Sequence, residues 1–61
     1  PRSKKVAKNI YELRFLKNLS IRIFFTFHRE NIWILLAFIK KSQKIPLKEL
    51  ETAIHRLKFL H

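Results

Sequence analysis

The sequence predicts an α+β domain: an antiparallel sheet of three strands with a C-terminal helix packed on one face. Three observations carry this reading. Apolar and polar residues alternate over residues 10–15 and again over 21–27, the period of half-buried strands. An unbroken apolar run follows at 32–39. Then Leu47, Leu50, Ile54 and Leu57 recur at helical spacing behind Pro46. Strands followed by one amphipathic helix must bury the helix stripe on the sheet.

Residues 1–9, PRSKKVAKN, form a basic lead-in without periodicity and read as loop. In the first strand, 10–16, Tyr11, Leu13 and Phe15 share one face and Glu12 and Arg14 the other. LKNLS (16–20) supplies loop residues. In the second strand, 21–28, Ile21, Ile23, Phe25 and Phe27 form an apolar face opposed by Arg22, Phe24, Thr26 and His28. A loop at 16–20 pairs Phe15 with Ile21, Leu13 with Ile23 and Tyr11 with Phe25, and a one-residue slip would destroy that match. The same register sets Arg14 directly across from Arg22. Like charges so placed cost stability unless an anion lies between them.

HREN (28–31) is the next polar break. The third strand, 32–39, is apolar on both faces and reads as a central strand covered on both sides. The helix spans 46–60. Pro46 suits its first turn, where a missing N–H is harmless. Ala53 and Leu60 widen the stripe, and Glu49 and Glu51 near the start, with Arg56 and Lys58 near the end, match the helix dipole. The stripe is expected on the sheet's apolar face, which leaves Arg14 and Arg22 on the face away from it.

Composition narrows the function. A chain of 61 residues is one domain at most. It buries only about 60% of its unfolded surface, so its stability is marginal. There is no Cys and no Gly, which excludes a disulfide staple, a thiol nucleophile, a cysteine-rich zinc site and a glycine phosphate loop. The net charge of +10, from 14 Lys and Arg against four acids, calls for a polyanionic partner such as nucleic acid. No apolar run reaches the roughly 20 residues of a membrane span, and no cleavage site follows an apolar segment, so a cytoplasmic location is expected. The three histidines lack the neighbours of a metal site, and no cofactor is expected. The chain opens at Pro1 and enters structured sequence within about ten residues, which reads as a partial domain whose N-terminal elements are absent.

Three strings carry a resemblance: Tyr11-Glu12-Leu13-Arg14, then Arg22-Ile23-Phe24, then Phe38-Ile39-Lys40-Lys41-Ser42-Gln43-Lys44-Ile45-Pro46. In this order and spacing the chain resembles the phage-derived Gp49-like, HigB-type branch of the RelE/ParE toxin superfamily. The resemblance implies the toxin of a type II toxin–antitoxin pair, an endoribonuclease that cleaves mRNA on the ribosome and is silenced by a cognate antitoxin, acidic or of helix-turn-helix type, in a hetero-oligomer. It also implies an N-terminal strand and helix before the present start. The chain departs from the family pattern in three places. Leu36-Ala37 stands where His-Gly is common, Leu47 where RelE has a tyrosine, and His28-Arg29-Glu30-Asn31 where a glycine-rich turn is usual.

RNA can be cut without metal when its own 2′-OH attacks the neighbouring phosphate. The protein must then accept a proton, stabilise the phosphorane charge and protonate the leaving 5′-oxygen. Arg22, Lys41, Lys40 and Arg14 are the candidate catalytic residues, Arg22 first for its planar fork. Lys44, Lys17 and Lys8 are candidate RNA contacts. His28 qualifies as a general acid by chemistry only, and Trp33 reads as core or antitoxin contact. The plainer alternative is that Lys40 and Lys41 end a solvated strand and the arginines are simply exposed. Two other functions stay open: a non-catalytic module that grips RNA or antitoxin, and a ParE-like gyrase inhibitor.

Overall fold

The computed structural model describes residues 2–15, 17, 20–40 and 46–60. Its elements are β1 (Arg2–Ala7), β2 (Ile10–Arg14), β3 (Ile21–His28), β4 (Asn31–Ile39) and α1 (Leu47–Leu57). The strands form one antiparallel sheet in the order β1-β2-β3-β4, and α1 packs on β3 and β4. The α+β class therefore holds, with four strands where the sequence predicts three.

The added strand is the basic lead-in. Arg2–Ala7 pairs with β2 from Arg2↔Arg14 to Ala7↔Ile10, with an irregularity between Lys5 and Ala7. Its alternation lacks apolar contrast because it is an edge, where lysines are tolerated and protect against stray pairing. The Lys8-Asn9 turn closes the hairpin, and Asn9 takes the left-handed φ of 63° that asparagine accepts at low cost. β2 stops at Arg14, short of the expected 16, and Leu16 lies outside the described residues.

Between β2 and β3 the register is the expected one: Tyr11↔Phe25, Leu13↔Ile23 and Arg14↔Arg22. The β3–β4 hairpin turns through Arg29 and Glu30 at φ of 52° and 67°. Two such angles define the turn that matches strand twist, and Asn-Gly is its preferred sequence. Strain at two side-chain-bearing residues is removable. The double substitution Arg29→Asn, Glu30→Gly is expected to raise stability by about 1 kcal/mol, seen as a melting temperature about 5 °C higher.

The helix lies on the face that the alternation marks as polar. Its core partners are Ile10, Phe24 and Leu35, joined by Ala53, with Leu50, Leu57 and Leu60 packed around them. The inward stripe is thus Leu50, Ala53, Leu57 and Leu60, with Ala53 buried and the three leucines half-buried, while Leu47 and Ile54 stay exposed. A bulge in β4 explains part of this. Phe24 pairs with Leu36 and Phe25 with Ile34, so Leu35 is the extra residue, and it reaches the core beside Phe24. The Leu35 carbonyl, left out of the ladder register, accepts a hydrogen bond from Arg56 Nη1 at 2.7 Å.

β4 is consequently an edge and not a central strand. Ile32, Trp33, Ile34 and Ile39 are 63%, 45%, 66% and 64% exposed, so Trp33 is not core. An apolar run states what its residues prefer, not what the fold supplies to cover them. The helix itself is shorter than the expected 46–60. Pro46 stands just before it, its carbonyl accepting from Leu50 N–H at 2.9 Å, and residues 58–60 close it with tighter turns.

Candidate nucleic-acid interface

Strand pairing builds the centre of the site. Glu12 on β2 faces Lys4 across β1 and Phe24 across β3, and Arg14 lies opposite Arg22 one pair further along. Alternation puts Glu12, Arg14, Arg22 and Phe24 on one face, the face the helix covers. Glu12 is almost fully buried. Its Oε1 accepts from Arg14 Nε at 3.1 Å and lies 3.7 Å from Arg22 Nε. The anion that the Arg14–Arg22 opposition requires is therefore supplied by the chain itself.

The two arginines are not equivalent. The Arg14 side chain is 36% exposed, whereas that of Arg22 is 10% exposed. Arg22 Nη1 donates to the Ile21 carbonyl at 3.2 Å, and its Nε has no hydrogen-bond partner. Burial of this kind costs several kcal/mol per ion unless a counter-charge is close, which Glu12 provides. The expectation that Arg22 stands on an open face is corrected: Phe24, Ile10 and the helix draw that face inward.

Beside this cluster is a cleft of about 240 Å³ between the sheet and the start of α1. Lys4, Glu12, Lys40, Pro46 and Leu50 are among its lining residues. Lys40 follows the end of β4, where its backbone N–H donates to the Ser20 carbonyl at 2.7 Å. Glu12 is thus common to the arginine cluster and the cleft, and Lys4, Lys5 and Lys40 add three further cations there. Lys17 is exposed in the β2–β3 connection, at the sheet end that carries Arg14 and Arg22. Lys8 is exposed in the β1–β2 turn, at the other end. Lys41 and Lys44 lie outside the described residues. His28 ends β3, where its carbonyl accepts from Trp33 Nε1 at 3.3 Å.

Lys4 and Glu12 were not candidates on sequence grounds. Glu12 had a legible signal: it shares a strand face with Arg14 and lies diagonal to Arg22 in the expected register. Lys4 had none, because its strand was not expected. Among the described residues no group of three or more His, Cys, Asp or Glu could hold a metal ion. No helix among them is long and apolar enough to cross a membrane.

Fold and site together define a small, strongly basic α+β domain whose cations gather around one buried carboxylate and an adjoining cleft. A family model described as "Phage derived protein Gp49-like (DUF891)" matches residues 1–58, and the chain belongs to that family. It is a family linked to the toxins of toxin–antitoxin systems. No curated protein and no solved structure matches the chain.

Proposed function

We propose that this protein is a toxin that cleaves mRNA on the ribosome, by metal-independent attack of the 2′-OH, and that a cognate antitoxin restrains it. The observation that carries the reading is the convergence of Lys4, Arg14, Arg22 and Lys40 around Glu12 and one cleft. Arg14, the accessible arginine, binds the scissile phosphate together with Lys40 and Lys4. Arg22 acts from behind, through its charge and its hold on Glu12. Cations fixed in a partly dry site stabilise phosphorane charge more than mobile surface lysines do. Glu12 is the carboxylate of the cleft and the group there able to accept a proton from the attacking hydroxyl.

The test is a cleavage assay on ribosome-bound mRNA with wild type, Arg14→Ala and Arg22→Lys. Each substitution is expected to reduce cleavage by about 100-fold, the usual effect of removing one stabilising donor. Equal cleavage by all three proteins would remove the arginine cluster from the mechanism. A second reading, binding of RNA without cleavage, draws support from the deep burial of Glu12 and Arg22. It predicts strongly salt-dependent RNA binding with no product at any enzyme concentration.

A further inference from the structure

The other face of the sheet is apolar, and among the described residues no helix or further strand packs on it, although Phe25 is buried there beneath its neighbours. Leu13, Ile23, Phe25, Phe27, Ile32 and Ile34 line a trough of about 250 Å³ there, and Phe27, Ile32 and Ile34 are each more than half exposed. The Cα framework measures 32 × 22 × 15 Å, and the described residues form two layers, one sheet and one helix. Contiguous apolar surface of this kind on a small domain marks a binding face.

Charge identifies the occupant. Lys8, Lys17 and Arg29 stand exposed in the three connections at the two ends of the sheet, against the single acid Glu30. A second copy fits poorly. A symmetric face-to-face pair sets each rim against its own duplicate, and it brings +10 against +10. The geometry points to the trough as the docking face for an acidic amphipathic helix of another protein, its apolar residues filling the trough and its carboxylates meeting the basic rim. Helix-in-groove recognition has this form: a row of apolar anchors at helical spacing, with polar complementarity at the border. This deepens the proposed reading, because an antitoxin seated here leaves the cationic cleft on the opposite face uncovered. Inhibition would then act through the rest of the partner or through exclusion from the ribosome, not through plugging the cleft.

The experiment uses the 61-residue chain and a labelled synthetic peptide with Leu at i, i+3, i+4 and i+7 and Glu at most other positions, followed by fluorescence anisotropy. Binding is expected for this peptide and not for its Lys-for-Glu counterpart. The double variant Ile32→Thr, Ile34→Thr is expected to bind about tenfold more weakly or worse, with an unchanged circular dichroism spectrum. Arg14→Ala is expected to bind the peptide as wild type does while losing RNA cleavage, so the docking face and the nuclease reading fail separately. The inference is overturned if the double variant binds as tightly as wild type, or if the Lys peptide binds as well as the Glu peptide. It is also overturned if sedimentation shows, without peptide, a wild-type dimer that the double variant loses.

Discussion

Glu12→Gln is expected to cost about 3 kcal/mol of stability, because it removes the counter-charge that the described residues give a buried arginine. Glutamine has nearly the same shape and can still accept one hydrogen bond from Arg14 Nε. It cannot neutralise Arg22, whose side chain is 10% exposed and whose Nε has no hydrogen-bond partner. Arg14 and Arg22 would then face each other across neighbouring strands without relief. A domain of this size has only about 3–9 kcal/mol in total, so the variant should be largely or wholly unfolded in dilute buffer. Urea titration measures the loss. If the cluster is built to receive phosphate, an RNA oligonucleotide should stabilise the variant more than the wild type, since it supplies the missing anion. An unchanged urea midpoint would show that Glu12 is not the counter-ion the fold depends on.

Phe24→Ala should be as damaging for a different reason. Phe24 is 1% exposed in a cluster whose other buried members, among the described residues, are Ile10, Leu35 and Ala53. Its ring meets that of Phe38 edge-on at 4.9 Å. Truncating a buried phenylalanine costs about 3–5 kcal/mol, from lost transfer energy and from the cavity left behind. A larger protein would survive this; here it removes a third or more of the expected stability, and all of it at the lower end of the range. Phe27→Ala is the control, since Phe27 is 58% exposed on the opposite face. Its loss should lower the melting temperature by much less. Comparable destabilisation by both would mean that the two faces are equally covered in solution.

How far the sequence could be read is best seen at these residues. The β2–β3 register followed from the spacing of Tyr11, Leu13, Ile23 and Phe25, and with it the opposition of Arg14 and Arg22. Period-2 patterning determines such pairing almost alone. The side taken by the helix did not follow. Simple alternation counts more apolar residues on the Leu13–Phe25 side, yet Ile10, Phe24 and a bulge that adds Leu35 make the other side the one that closes. A bulge has no reliable sequence mark, and β1 hid its pairing behind lysines that suit an edge. The candidate site was legible in its arginines and in Lys40, whereas Lys4 required the fourth strand. Lys8 met its limit differently. It is basic and exposed, but the topology sets it at the far end of the sheet.

Leu50, Ala53 and Leu57 come after all four strands in chain order, and Pro46 and Leu50 form one wall of the cleft. A polypeptide leaving the ribosome therefore presents both surfaces of its sheet to water until this last stretch has emerged. During that interval neither the hydrophobic centre nor the cleft exists. The emerging strands stay adhesive for that interval, and they lose this character only when the helix closes over Phe24 and Leu35.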